Sequence, residues 1–417
     1  MRGAIKLVFS SVLFFCLIGP AYAADPILLG IPTSLKLIEG YESNRAAILA
    51  AEEINAKGGV TVGKEKRLLK VESLDIRDGE PGVPVSEALL GIEKLILDKK
   101  IYAALVGNFR SEALLAAMDI YSKYKVINIG SIPMSPKFQE KVLSNPEKYK
   151  YSFRVCLEAT GLSKYMSGLM KLIGKEFGYK KVFIATQDVL WATATGSMME
   201  AWYKENGWTV LGFEKYPTGA SDFSSALMKA RSGGAELILV VFDMPTSGIL
   251  VKQWASMRIP ALMAGYNGPL MGSKAWSTFG NEIEGSLNII EDIGPIPVKA
   301  YPPATKFYEA YTKRWKESPQ AGHGVGASYD AVYMLAAAIE KAGTLDPDKV
   351  SAALAATDMA GGVVGRLKFD QGHQLLYGED PKTGGIGVWF QWRKGERVIV
   401  YPEAVADGKI EKPVWSK

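Results

Sequence analysis

"YAALVGNFRSEALLAAMDIYSKYKVINIG", residues 102–130, reads as one strand, a loop, a helix and a second strand. Residues 102–107 form a short apolar run that ends in glycine. Residues 111–124 place apolar side chains at three- and four-residue steps, the period of a helix with one buried face. Residues 126–130 are again short and apolar. Apolar strands alternating with amphipathic helices imply parallel strands with helical crossovers, hence a doubly wound α/β sheet.

The same unit extends in both directions. Upstream, residues 27–31 read as a strand, 41–56 as a helix closed by Gly58-Gly59, "RLLKVESLD" as a strand, and 84–98 as a helix with proline in its first turn. A polar stretch around Pro146 and then "YSFRV" at 151–155 interrupt the rhythm. A second series follows, with strands at 181–185, 208–213, 237–242 and 261–264. Its helices are expected at 161–177, 193–206, 223–231 and 246–257, the third capped by Ser221 or Asp222. After "LNIIEDIGPIP" come helices at 304–315, 328–342 and 347–357. The tail is β-rich: "GVWFQW" and "RVIVYP" read as a hairpin joined by Lys394-Gly395.

The chain has 417 residues, too many for one ordinary core and enough for two domains. Apolar residues make up 48% and charged residues 22%, as in soluble globular proteins. The formal charge is +5, with basic residues scattered, which argues against a nucleic-acid partner. Arg2 and Lys6 precede an apolar run over 7–18, and "AYA" at 21–23 puts small residues at both specificity positions before Ala24. This pattern is a cleavable export signal over residues 1–23, too short in its apolar part for a stable bilayer span. Cys16 lies within it behind Phe15, so it lacks the small residue that precedes a lipid-attachment cysteine. Cys156 is then the only thiol of the mature chain, expected as a small buried hydrophobe.

Enzyme signatures are missing from the sequence. There is no P-loop, no strand-bound G-x-G-x-x-G, no G-x-S-x-G and no metal-ligand spacing, and "GHGVGAS" at 322–328 reads as a loop. With only His323 and His373 available, acid–base chemistry would fall to carboxylates, and no paired set is evident. Neither a cofactor nor a metal is expected.

"AAEEINAKGGV" (50–60), "VGNFRSEALLAAMDIY" (106–121), "SYDAVYMLAAAIEKAG" (328–343) and "GRLKFD" (365–370) occur in an order that resembles the solute-binding proteins of ABC importers. The group most resembled is the type I, leucine/isoleucine/valine-binding-like family. The resemblance runs from about Leu28 to the C-terminus. It implies two Rossmann-like lobes joined by three crossings, with a ligand cleft between them. The crossings correspond to "FRV", "NIIEDIGP" and "RLKFD". Lobe 1 would then comprise residues 24–154 and 295–367, and lobe 2 residues 155–294 and 368–417. It further implies a monomer in the periplasm that delivers a small ligand to a permease in the inner membrane. A sensor of the same fold, presenting its ligand to a signalling receptor or regulator, is the alternative.

Candidate site residues come from the loops that follow strands, where α/β sheets bind ligands. Ser111 is expected as an N-cap, and the free N–H groups behind it attract anions. The resemblance gives this serine the ligand carboxylate. Arg110, where some relatives have cysteine, either clamps a carboxylate or is a solvated surface group. Met134 stands where the family usually has threonine, so the pocket becomes more apolar unless Ser131 or Ser135 substitutes. Trp191 replaces a family tyrosine and is placed to stack on a flat ligand. Asp243, also at a family tyrosine position, has three readings: meeting a ligand cation or hydroxyl, pairing with Arg110 across the cleft, or capping a helix. Tyr266 and Asn267 lie in "LMAGYNGPL" (262–270), and Asn267 falls where amino-acid binders carry the glutamate that pairs with an α-ammonium. A neutral amide cannot offset a desolvated ammonium, a deficit of several kcal/mol. The ligand expected on this ground is a carboxylate without an α-ammonium, aromatic or aliphatic, or a neutral polar molecule. An amino acid stays open if Asp243 supplies the charge. Sequencing the N-terminus of the exported chain checks the leader: it should begin at Ala24, without lipid.

Overall fold

The computed structural model describes residues 25–412, so the export signal, with Cys16 and Ala23, lies outside the described residues. The first sheet contains β1 (Ile27–Thr33), β2 (Leu69–Asp75), β3 (Ala103–Val106), β4 (Ile127–Gly130) and β5 (Ser152–Arg154). All pairings are parallel and the order is β2-β1-β3-β4-β5. The second sheet contains β6 (Lys181–Gln187), β7 (Thr209–Tyr216), β8 (Leu237–Phe242), β9 (Leu262–Asn267) and β10 (Leu287–Ile290), followed by β11 (Val388–Arg393) and β12 (Glu396–Tyr401). Its order is β12-β11-β10-β9-β8-β6-β7, with the last two chain segments antiparallel. This is the two-lobe α/β architecture expected from the strand–helix rhythm.

The burial pattern explains why these segments are strands. Every residue of β3, β4, β8 and β9 is buried, as parallel strands covered by helices on both faces must be. The helices show the complementary pattern. In Ser111–Tyr124 the buried side chains are Ser111, Ala113, Leu114, Ala117, Met118 and Tyr121, one stripe at helical spacing. Val325–Ala342 packs into the first lobe, where Ala331, Leu335 and Ile339 join Ala47, Ala50 and Ile54 of the helix Ile38–Ala56. The hairpin of β11 and β12 turns through Lys394 and Gly395, both at positive φ, and adds Trp389, Phe390 and Trp392 to the core of the second lobe.

Several boundaries differ from those read in sequence. The first helix starts at Ile38 rather than 41, which brings Glu39 into its first turn. A small hairpin, Val60–Val62 with Glu65–Arg67, precedes β2. β9 continues to Asn267 rather than stopping at 264, so Tyr266 and Asn267 are strand residues, paired with Val241 and Phe242 of β8. Arg110, not Ser111, occupies the N-cap position of the helix Ser111–Tyr124.

The three crossings lie side by side and are laced together. Arg154 at the end of β5 is fully buried; its guanidinium donates to Gln374 Oε1, to the Ser135 carbonyl at 2.6 Å and to Gln139 Oε1 at 3.2 Å. The Leu375 N–H donates to the Arg154 carbonyl, joining the first crossing to the third. Ile293 N–H donates to the Ile386 carbonyl, and Ile386 N–H to that of Val364, which ties in the second. Cys156, just past the first crossing, is a buried free thiol.

Gly265 is the tightest point of the second sheet. Its φ is +149°, and a Cβ there would lie 1.9 Å from the Val240 carbonyl oxygen. Gly265→Ala should therefore separate β8 from β9 and destabilise the chain by at least ~2 kcal/mol. A shift of the urea midpoint at constant slope measures it.

Candidate functional site

Each sheet reverses its strand order once. In the order 2-1-3-4-5 the first and third strands send their crossovers to opposite faces, which leaves a crevice beyond their carboxyl ends. In the first lobe this crevice lies after β1 and β3, and in the second after β6 and β8, the same relation in the second sheet. Glu39 follows β1, Phe109 and Arg110 follow β3, Trp191 follows β6, and Asp243 follows β8. The two crevices face one another across a single small cavity of about 20 Å³. Its lining comprises Glu39, Phe109, Ile132, Met134, Trp191, Asp243, Tyr266, Glu291 and His323. Such a volume is close to that of one water, so an organic ligand enters only if the lobes separate. A wider interlobe groove of about 620 Å³, with Tyr41, Ile249, Pro269 and Phe279 among its walls, also borders Asp243.

The lobes meet in a bidentate ion pair. Arg110 Nη1 donates to Asp243 Oδ2 at 2.6 Å and Nη2 to Oδ1 at 3.3 Å, with both side chains about nine-tenths buried. Trp191 Nε1–H donates to the same Asp243 Oδ2 at 3.0 Å. Gln187 Oε1 accepts the N–H groups of Asp243 and Met244, fixing the loop after β8. On the other side, Asp78 Oδ2 accepts the Arg110 N–H at 2.9 Å, and Asp78 Oδ1 accepts from Ser34 Oγ. Burial opposes the charge on Arg110, but Asp243 and then Asp78 outweigh it and hold the guanidinium more firmly protonated than usual. Asp78 is pushed up to about 6 by burial, against the hydrogen bonds that favour its anion.

A second charged group stands at the second crossing. His323 Nε2 is 2.7 Å from the Ile132 carbonyl, which can only accept. Its Nδ1 is 3.0 Å from Glu291 Oε2 and 3.1 Å from Asp292 Oδ2. Nε2 thus has an acceptor and Nδ1 lies in close ion-pair contact without hydrogen-bond geometry, surroundings that favour the imidazolium. Burial works against this charge, yet Glu291 and Asp292 outweigh it and hold the ring well above its ordinary pKa. Asp292 Oδ2 also accepts the Gly324 N–H, just before the helix Val325–Ala342. Among the described residues the Glu39 side chain has one side-chain hydrogen-bond partner, the Tyr266 hydroxyl, which donates at 2.9 Å. Burial first, and the charge of Asp243 second, push Glu39 up to about 7.

Four of the residues singled out in sequence line the cavity: Met134, Trp191, Asp243 and Tyr266. Trp191 and Tyr266 meet edge to face with centroids 5.9 Å apart. Arg110 is brought to them through Asp243, so the cross-cleft pairing is the reading of Asp243 that the structure realises. Ser111 does not line the cavity; its hydroxyl accepts the N–H groups of Met134 and Ser135 at 3.2 and 3.1 Å. Asn267 does not line it either. Successive strand residues point to opposite faces. Tyr266 faces the site, while the Asn267 amide is engaged with Ser247, accepting its hydroxyl at 2.9 Å. The Asn267 amide therefore does not set the charge of the cavity, whose walls include the carboxylates of Glu39, Asp243 and Glu291.

Glu39, Glu291 and His323 went unread in the sequence. The signal for Glu291 was present, since "EDIGP" places two acids directly after the fully buried β10, where a charge needs a partner. His323 lay in the glycine-rich loop, and Glu39 in residues read as preceding a helix.

Residues 37–377 match the periplasmic binding protein family. Among curated proteins, a Leu/Ile/Val-binding protein homologue of Brucella suis is 25% identical over 408 residues, covering 95% of this chain and 96% of its own length. Among solved structures, the branched-chain amino acid binding protein LivJ of Streptococcus pneumoniae, in complex with isoleucine, superposes with a TM-score of 0.73 at 21% identity, over 90% of this chain and all of its own. A solute-binding protein of R. palustris in complex with benzoate superposes with a TM-score of 0.70 at 16% identity, over 91% of this chain and 99% of its own. The two-lobe fold, the crossings and the family match agree: the chain belongs to the periplasmic binding protein family, in its type I, leucine/isoleucine/valine-binding-like group.

Proposed function

We propose that this chain is the extracytoplasmic substrate-binding component of an ABC importer, exported to the periplasm, monomeric, and handing a small organic ligand to an inner-membrane permease. The observation that carries the reading is the cavity walled by the switch points of both lobes and by the second crossing. A ligand held there touches both lobes at once, so its binding free energy favours the closed arrangement over the open one. Arg110, Met134, Trp191, Asp243 and Tyr266 are its proposed contacts. Ser111 and Asn267 act one layer behind, shaping the loop at Met134 and the end of β9. The relatives bind unlike ligands, an amino acid in one and an aromatic carboxylate in another. The ligand of this chain therefore follows from its own side chains rather than from the fold. A ligand carboxylate binding Arg110 in the same bidentate way would have to displace Asp243, which already accepts from both terminal nitrogens of the guanidinium.

Disrupting the gene should abolish uptake of the ligand found by thermal-shift screening; unchanged uptake argues against the importer role. At 100 times its dissociation constant, a true ligand adds about 2.7 kcal/mol of stability.

The ion pair gives a separate test of lobe movement. Arg110→Ala removes a charge-assisted contact from the closed form alone, about 1.5–3 kcal/mol, roughly ten- to a hundredfold in the closed-to-open ratio. Small-angle scattering should show a larger radius of gyration than wild type. An unchanged radius would mean that the pair does not govern closure.

A further inference from the structure

Five carboxylates stand at or directly behind the cavity: Glu39, Asp78, Asp243, Glu291 and Asp292. Among the described residues, the cations paired with these carboxylates are Arg110 and His323. Asp78 is compensated by Ser34 and the Arg110 N–H, and Asp292 by the Gly324 N–H at a helix start. Asp243 has Arg110 and Trp191. Glu39 is left with a tyrosine hydroxyl, and Glu291 shares one imidazolium with Asp292. Oε1 of Glu291 and Oδ1 of Asp292 are buried and, among the described residues, find no hydrogen-bond partner. A buried carboxylate oxygen without a partner costs several kcal/mol unless a cation or donor reaches it.

Resting on the solute-binding reading above, we propose that the interlobe site takes a small organic cation without a carboxylate, its charged nitrogen seated between Glu39 and Glu291 against Trp191 and Tyr266. The nitrogen supplies what the unpartnered oxygen of Glu291 and the weakly partnered Glu39 lack. The aromatic pair adds cation–π attraction from two ring systems. The same bookkeeping disfavours an anion. The Arg110 guanidinium is already engaged electrostatically by Asp243 and Asp78, so a ligand carboxylate would enter a region rich in acidic groups. A zwitterion brings that repelled carboxylate with its ammonium. The donors do not suit a bare metal cation: among the described residues no group of three or more His, Cys, Asp or Glu is arranged to hold one. Burial raises the pKa of both Glu39 and Glu291. Burial thus favours the neutral form of each until a cation or donor reaches it.

Calorimetry on the mature chain with sets matched in hydrocarbon but differing in charge tests this. The sets are isoamylamine, leucine and isocaproate; phenethylamine, phenylalanine and hydrocinnamate; and choline with glycine betaine. In any set that binds, the cation should bind at least tenfold more tightly than its zwitterionic or anionic counterpart. Glu39→Gln and Glu291→Gln, each close in size to the native residue, should each weaken that binding at least tenfold. Circular dichroism and the melting curve establish that each variant folds. Leucine, isocaproate or another carboxylate binding as tightly as its amine, with compaction in scattering, would overturn the cation inference and leave the solute-binding reading standing. Amine affinity unchanged in both folded Gln variants would overturn the proposed seat. If only one variant folds, its affinity decides. Binding of no member of the sets would also overturn the proposal, while the uptake and lobe-closure measurements still decide the broader reading.

Discussion

A parallel strand cannot turn back on itself; it must return over the sheet through a crossover before the next strand begins. Where successive crossovers go to opposite faces, the strand ends between them are left uncovered. This chain meets that constraint twice with the same order, once in β1 to β5 and once in β6 to β10. The uncovered places carry Arg110 in one lobe and Asp243 in the other. Because the crossings hold the lobes with these ends facing, two separate topological gaps become one site. Everything polar in the cavity inherits its position from that arrangement, including Trp191, whose indole N–H shares Asp243 with Arg110.

Desolvation then decides which charges the site tolerates. A buried ion pair gains little net stability, because the cost of removing two charges from water nearly cancels their attraction. The Arg110–Asp243 pair is therefore better understood as a device for specific closure than as a source of fold stability. It forms only when the lobes meet, and each partner is satisfied within its own lobe only in part, the Arg110 guanidinium by the Gly79 carbonyl and Asp243 by Trp191. The His323 cluster serves the crossings in the same way. Its imidazolium bridges the Ile132 carbonyl of the first lobe to Glu291 and Asp292 on the chain that leaves the second.

The fold was legible because its two periodicities are strong. Fully apolar runs such as "LILVVF" and striped helices such as residues 111–124 leave little choice of element. The Arg110–Asp243 contact was among the alternatives written from sequence, since both residues follow strands that the rhythm places at carboxyl ends. The rest of the site was not legible, for reasons of distance and register. Glu39 and Tyr266 are 227 residues apart, and no local pattern pairs them. Asn267 was misplaced because "AGYNGP" reads as a loop after Ala264, whereas β9 runs three residues further. That extension turns the amide toward Ser247 and leaves its tyrosine neighbour facing the cavity. Substituting asparagine for a family glutamate therefore did not remove negative charge from the site. The carboxylates arrive instead from a helix start and from a crossing.

The position of Glu291 connects binding to closure more directly than a loop residue would. It lies at once in the wall of the cavity and on the second crossing, one residue past β10. A ligand can shift an equilibrium only by as much as its affinity differs between the two states. Lobe 1 contributes Glu39 and lobe 2 contributes Asp243 and Tyr266, so an occupant senses all of them only when the lobes meet. Glu291 lies beside the cavity on the laced crossings, one residue past β10. On the cation proposal the crossings would carry a chemical role beyond joining the lobes: Glu291, which anchors His323, would also supply countercharge to the ligand.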